Sequence, residues 1–289
     1  MFSLQREPIT LAQLFDHNLI HLRDMALVEF LTYFLVGAAV FAYVLHLRRV
    51  GAFRFLVRKP SPSPVRVHLE VFNSALSVVL YNGVQLLARI GVLAFGYVVT
   101  LNNPLPLWEV VLSFPLVLIV HDAYFYWTHR WMHHPALFRI FHWEHHKSAA
   151  PTVFTAYSFA IPEAIVQGLF GVFYVALFPA TFATLIFFQF IEILHNLMIH
   201  SGVDVLPRTL VVHKRWGWLA GAAHHDLHHR TARGNYGLYT RFWDRVFKTE
   251  HPDFVAVYNY VHAPGNDGQA YKLLSRRSVD VAAQPQYLD

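Results

Sequence analysis

The sequence predicts an all-α fold: an integral membrane helical bundle with a cytoplasmic, histidine-rich helical cap that holds a di-metal site. Hydrophobic residues form 55% of the 289-residue chain and charged residues only 14%, whereas a soluble domain carries about 25% charged residues. Several apolar stretches reach the roughly 20 residues that a membrane-spanning helix needs. The chain also has 20 histidines, most of them clustered, and no cysteine. Disulfides, zinc ribbons and iron–sulfur clusters are therefore excluded.

Four apolar segments account for the predicted membrane helices, namely residues 25–45, 71–100, 110–120 and 164–191. Each contains at most one charged side chain, Glu29 in the first and Arg89 in the second. The third is expected to continue as a helix towards His133. Each segment is flanked by polar or charged residues, which is typical of a membrane protein.

The fourth segment has 28 residues, which is long for one span and short for two. A single span would place the histidines before and after it on opposite sides of a hydrocarbon core about 30 Å thick. Pro179 lies near its middle, where a proline interrupts helical hydrogen bonding. We therefore predict a short helical hairpin that enters the membrane and returns.

Basic residues predict the orientation of the chain. Between residues 47 and 70, a single acid is accompanied by six bases: Arg48, Arg49, Arg54, Arg58, Lys59 and Arg66. The loop at 101–107 carries no charge. Cytoplasmic loops are the ones enriched in Lys and Arg, so the first loop and all the histidine clusters are expected on the cytoplasmic side. Because the bases flank apolar spans, we expect a membrane surface as partner and no nucleic acid.

Four histidine clusters carry the candidate chemistry: 121–134, 142–146, 192–200 and 224–229. Residues three and four apart lie on the same helical face, so imidazoles at these spacings are expected to point one way. Such spacings join His129 with His133, His142 with His145 and His146, and His225 with His228 and His229. Unpaired imidazoles beside hydrocarbon are costly, which predicts that a metal organises them. An isolated histidine such as His68 is more typical of a polar or interfacial residue.

The number of histidines indicates two metal ions. One ion with open positions uses three or four ligands, whereas these spacings provide eight imidazoles, and His195 and His200 can complete the shells. Imidazole binds zinc, copper, iron and nickel. Neutral ligands with open positions fit two iron ions (Fe2+/Fe3+) with O2 as cosubstrate, whereas a di-zinc hydrolase usually includes carboxylates. Zinc can substitute for iron during heterologous expression.

Three further residues are candidates to support the ligands. Asp122 lies two helical turns before His129 and can accept a hydrogen bond from the free N–H of a ligand, as outer carboxylates do in metal sites. Asp226 and His224 belong to the fourth cluster. We expect no catalytic side chain beyond the metal centre and no organic cofactor, because no nucleotide-binding motif is present.

The order of these clusters resembles the fatty acid hydroxylase/sterol desaturase superfamily of membrane non-haem di-iron enzymes. The segments that carry the resemblance are 121–130, 141–148, 200–202, 225–229, 235–237 and 242–247. The sequence departs at Lys248, where many members have a glycine before the threonine. The resemblance covers roughly residues 110–250 and does not extend to the outer segments. We therefore predict three regions: N-terminal membrane helices at 1–105, a catalytic region at 106–250 and a C-terminal tail at 251–289.

The resemblance implies a membrane-bound, oxygen-dependent di-iron oxidoreductase of lipid biosynthesis that hydroxylates or desaturates a sterol, a fatty acyl chain or a related lipid. Cleavage of an unactivated C–H bond requires a metal or cofactor, and a separate electron-donor protein is the expected source of reducing equivalents. One alternative is a non-catalytic membrane protein that binds or transports zinc, but transport predicts ionisable residues along the spans. Another is a membrane-embedded metal hydrolase.

Overall fold

The computed structural model describes residues 11–50, 55–57, 63–94, 107–178, 182–213, 215 and 217–269. Most of the basic loop, the uncharged loop at 101–106, Pro179 and residues 270–289 lie outside the described residues, as does the side chain of Arg89.

Within the described residues the chain forms eleven α-helices and one 3-10 helix, so the predicted all-α class is confirmed. The helices are α1 Leu11–Arg49, α2 Pro64–Ala94, α3 Leu107–Met132, α4 Pro135–Phe141, α5 Trp143–His146, the 3-10 helix Val153–Tyr157, α6 Ile161–Leu177, α7 Phe182–His200, α8 Arg208–Val211, α9 Ala222–Thr231, α10 Phe242–Val246 and α11 Phe254–Val261.

Three of the described helices are long and apolar enough to cross a membrane: Ala26–Arg49, Val111–Met132 and Ala183–His200. They belong to α1, α3 and α7, and they overlap the first, third and fourth predicted segments. Large apolar side chains such as Leu35, Ile119 and Phe190 are exposed on their outer faces. Exposed apolar surface of this kind is typical of a lipid-facing helix.

The predicted break in the fourth segment is confirmed, since α6 ends at Leu177 and α7 begins at Phe182. Glu163, in the first turn of α6, contacts His142, and His200, the last residue of α7, contacts His145. The chain therefore leaves the histidine-rich region along α6 and returns to it along α7, as a hairpin does.

An aromatic core joins α1, α2, α7 and the 3-10 helix. The Tyr33 ring stacks on Tyr157 with 4.5 Å between the ring centroids, and its hydroxyl donates to the Phe154 carbonyl at 3.1 Å. A close approach between α2 and α6 depends on Gly168, where a Cβ atom would lie 3.1 Å from the Tyr81 ring. Helix α6 also contacts α3 and α4.

Helix α9 is buried on nearly all sides because it packs between α7 and α11. Its first turn is fixed by the Asp204 carboxylate, which accepts a hydrogen bond from the Ala223 amide at 2.8 Å. The helix ends at Ala232, whose φ of 50° is left-handed. Because α9 is enclosed, its four histidines are all buried.

Candidate metal centre

Nine of the predicted ligands form two adjoining groups. Each histidine of a group contributes one ring nitrogen, and within the group these nitrogens all lie within 4.8 Å of one another. Group A consists of His129, His133, His142, His146 and His228. Group B consists of His145, His200, His225 and His229. The two groups touch, since the rings of His146 and His229 have centroids 4.8 Å apart.

We predicted that the imidazoles of each HxxHH motif point one way. In the structure, each motif instead divides between the two groups. The α-helix turns by about 100° per residue, so positions i and i+4 lie about 40° apart, while i+3 lies about 60° to the other side of i. In α9, His225 and His229 accordingly join group B, and His228 joins group A. A single helical motif thus supplies histidines to both groups.

The other motif divides in the same way, although His142 lies at the junction of α4 and α5. His142 and His146, four residues apart, both belong to group A, whereas His145 belongs to group B. His129 and His133 are also four apart and both belong to group A.

The inner Nε2 atoms converge as the ligands of a metal do. Metal–imidazole bonds of about 2.0–2.1 Å place neighbouring ligand nitrogens roughly 2.9–3.4 Å apart. The observed Nε2–Nε2 distances are 2.9 Å for His129–His142, 3.0 Å for His146–His228, 2.9 Å for His225–His200, 3.3 Å for His229–His200 and 3.4 Å for His145–His200. His133 Nε2 is buried and has no hydrogen-bond partner among the described residues. The donor set therefore fits a metal ion in each group.

Burial favours the neutral form of the histidines of groups A and B that lie outside the candidate spans. It lowers the pKa of His146 to about 3, and it holds the pKa of His145, His225 and His228 well below the usual value, with neighbouring histidines adding repulsion. A neutral imidazole keeps a lone pair that can bind a metal. Several lone pairs directed at one point are unfavourable without a cation between them.

Hydrogen bonds to the outer nitrogens fix which nitrogen carries the proton. His129 Nδ1 donates to the Tyr236 carbonyl at 2.9 Å, His228 Nδ1 to the Gly234 carbonyl at 2.7 Å and His200 Nδ1 to the Asn196 carbonyl at 2.8 Å. His142 Nδ1 instead lies 2.5 Å from Oε1 of Glu163. Such outer partners direct the Nε2 lone pair inward and orient the ring.

The loop at 234–240 organises two ligands of group A, since its residues 234 and 236 supply the carbonyls that bond His228 and His129. Asp244, which is fully buried, accepts hydrogen bonds from the amides of Tyr236 at 2.9 Å and Gly237 at 2.8 Å. A Cβ atom at position 237 would overlap the Thr240 carbonyl, so glycine is required there.

His195, a predicted ligand, lies outside both groups. Its Nε2 is bonded to the Leu238 carbonyl at 2.8 Å, and its ring packs against Tyr239. His195 and His200 are five residues apart in α7, about 140° around the helix, so the two rings cannot face one site. His195 supports the 234–240 loop instead.

Asp122 also differs from its prediction. Its carboxylate accepts hydrogen bonds from the amides of Tyr239 at 2.9 Å and Thr240 at 3.1 Å and from the Thr240 hydroxyl at 2.5 Å. These bonds fix the 234–240 loop on α3, and none of them reaches a histidine of group A or B.

His224 and Asp226, the other predicted supporting residues, are buried in α9 outside both groups. His224 Nε2 lies 3.5 Å from Oδ2 of Asp244.

Glu163 is a site residue that the sequence analysis missed. Its side chain is 1% exposed and contacts His142 directly. The sequence feature that could have revealed Glu163 is its position, since it is the last charged residue before the uncharged stretch 164–191. A carboxylate at the edge of an apolar segment is costly unless it has a partner.

The fold and site together define an all-helical protein with three candidate membrane spans and a buried pair of histidine groups. Residues 114–249 match the fatty acid hydroxylase family. This match supports the resemblance to the fatty acid hydroxylase/sterol desaturase superfamily that the histidine motifs indicated.

The curated relatives carry sterol-related names. The chain is 30% identical over 218 residues to a Delta(7)-sterol 5(6)-desaturase of Gibberella zeae, an alignment that covers 75% of this chain and 58% of the relative. It is 30% identical over 143 residues to human lathosterol oxidase, with 50% of this chain and 46% of the relative covered. It is 32% identical over 148 residues to a putative methylsterol monooxygenase of Dictyostelium discoideum, with 50% and 53% covered. The chain thus spans less than two thirds of these relatives' length, and no solved structure matches it.

Proposed function

We propose that the protein is a membrane-bound, O2-dependent di-iron oxidoreductase that desaturates or hydroxylates a lipid. The observation that supports this most strongly is the pair of adjoining groups of five and four histidines, all of them buried except His133, which is half-buried. An all-imidazole donor set suits iron with open coordination positions. Because the relatives are named for sterol desaturation and methylsterol oxidation, a sterol is the first substrate class to test.

In this proposal one iron is held by group A and the other by group B. His195 is no longer a proposed ligand, and it acts with Asp122 to fix the 234–240 loop. When bound, the irons supply the O2 activation that cleavage of an unactivated C–H bond requires. The protein supplies neutral ligands, protons fixed on their outer nitrogens, and burial that keeps water from the reacting centre.

We further propose that residues 106–250 form the catalytic region, preceded by N-terminal membrane helices at 1–105 and followed by a tail at 251–289. The tail contributes α11, which packs on α9. The histidine groups lie on the cytoplasmic side in this arrangement, where a separate electron-donor protein delivers reducing equivalents. The basic side chains of Arg48 and Arg49 at the end of α1 support the cytoplasmic location, because cytoplasmic loops are enriched in basic residues.

The test is a reconstitution in lipid nanodiscs with ferrous iron, a reducing system and a Delta(7)-sterol. We expect O2-dependent loss of 2 mass units for a desaturation or gain of 16 for a hydroxylation, read by mass spectrometry. His228→Ala should abolish turnover, whereas His68→Ala, at an exposed histidine bonded to the Pro64 carbonyl, should retain it. Zinc-dependent activity without O2 would instead support a hydrolase, and zinc binding with no turnover would support a transport or storage protein.

A further inference from the structure

Glu163 and His142 form a buried contact at the edge of group A. The Glu163 side chain is 1% exposed and that of His142 is 2% exposed, with 2.5 Å between Oε1 and Nδ1. Glu163 lies in the first turn of α6, where the helix dipole favours a negative charge. Helix position therefore stabilises the carboxylate at this depth.

This carboxylate contact distinguishes group A from group B. In group B, the outer Nδ1 atoms of His225 and His229 are buried without a hydrogen-bond partner among the described residues, and His145 contacts the uncharged backbone of Ser158. The outer nitrogen of the fourth member, His200, is bonded to a backbone carbonyl, which is uncharged.

His142 lies at the centre of group A. The centroid of its ring is 4.7 Å from those of His129 and His133 and 4.8 Å from that of His146. Its Nε2 is 2.9 Å from Nε2 of His129. A partner that fixes the His142 ring therefore also fixes the direction in which its Nε2 atom points toward the other histidines of group A.

We propose that Glu163 is a positioning residue that holds the Nε2 of His142 in group A and makes group A the tighter of the two metal sites. The proposal rests on the two-metal assignment made above. A carboxylate that accepts the outer N–H both orients an imidazole and increases its basicity as a ligand, and loss of such a partner typically costs 10- to 100-fold in metal affinity.

The test measures release of ferrous iron to an excess of a chromogenic chelator, under anaerobic conditions and in nanodiscs. We compare the iron-loaded wild type with Glu163→Ala and Glu163→Gln. In Glu163→Ala we expect one of the two irons to be released about 10- to 100-fold faster, with the other released as in the wild type. Glu163→Gln should show a smaller acceleration of the same phase, because its amide oxygen can still accept the His142 proton.

Glu29→Gln is the matched control. Glu29 is also a buried glutamate, but it accepts from Asn82 Nδ2 at 3.0 Å and has no hydrogen bond to a histidine among the described residues. The Glu29→Gln variant should therefore release both irons at the wild-type rates, so that both phases of release are unchanged. Unchanged release in both Glu163 variants, or equal acceleration of both phases, would overturn the proposal, as would the same effect in Glu29→Gln.

Size-exclusion chromatography reports whether each variant folds. If Glu163→Ala does not fold, the isosteric Glu163→Gln decides, and wild-type release from it refutes the proposal. A wild type that holds a single ion contradicts the two-iron function instead. The Glu163 proposal is then judged by whether release of that ion accelerates.

Discussion

Asp244 provides a quantitative test of how the 234–240 loop supports the site. Its buried carboxylate accepts from the amides of Tyr236 and Gly237 and from the Thr249 hydroxyl at 2.7 Å. Asp244→Ala leaves the two amides without acceptors. At about 1–3 kcal/mol for each unsatisfied buried group, the free energy of unfolding should fall by about 2–6 kcal/mol.

The assay is a reversible denaturation of the purified protein in mixed micelles, monitored by circular dichroism. Glu144→Gln is the control: that carboxylate is partly exposed and pairs with Lys147 and Arg66, so its loss should cost about 1 kcal/mol or less. Because residues 234 and 236 of the loop bond His228 and His129, Asp244→Ala should also weaken iron retention. Wild-type stability in Asp244→Ala would refute the assignment of these hydrogen bonds.

The remaining predictions concern supporting residues and membrane orientation. Asp122→Asn should lower stability, because an amide NH2 replaces the oxygen that accepts from the Thr240 hydroxyl, but it should accelerate iron release less than Glu163→Ala does; a larger acceleration would mean that Asp122 acts on a ligand. His195→Ala should retain both irons by plasma mass spectrometry, and loss of one would restore His195 as a ligand. Cysteines introduced at the exposed positions Lys147 and Arg208, before and after the α6–α7 hairpin, should both react with an impermeant reagent from the cytoplasmic side. Labelling from opposite sides would contradict a shared site.

Three of the four predicted membrane segments correspond to helices long and apolar enough to cross a membrane, whereas 71–100 is not among the candidate spans of the described residues. Nine of the histidines singled out from the sequence lie together in the two groups. Hydrophobic length and helical periodicity are local properties, so they can be read directly from residue order. The break near Pro179 was predictable for the same reason. The labelling positions were chosen from the structure, because exposure depends on packing: Ser148, next to Lys147, is buried.

The division of each HxxHH motif between two groups follows from the same 100° rotation per residue. The division was not predicted because the spacing of the histidines does not show whether ligands are needed on one side of the helix or on two. The helical rotation between His195 and His200 can likewise be calculated from the sequence, and it argues against a common site for the two residues.

Contacts between distant residues were not predictable. Glu163 reaches His142 across 21 residues, and Asp122 reaches Tyr239 across 117. Both contacts depend on how helices pack and on where the 234–240 loop lies, which no local pattern encodes.

The iron content of single-histidine variants tests the central claim most directly. His225→Ala removes a ligand of group B, and His228→Ala removes a ligand of group A from the next turn of the same helix. After anaerobic loading and desalting, we expect two irons per chain in the wild type and one in each variant, with the retained iron differing between the two in its rate of release to a chelator. One iron per wild-type chain, lost completely in both variants, would show that the nine histidines form a single site and would contradict the di-iron account.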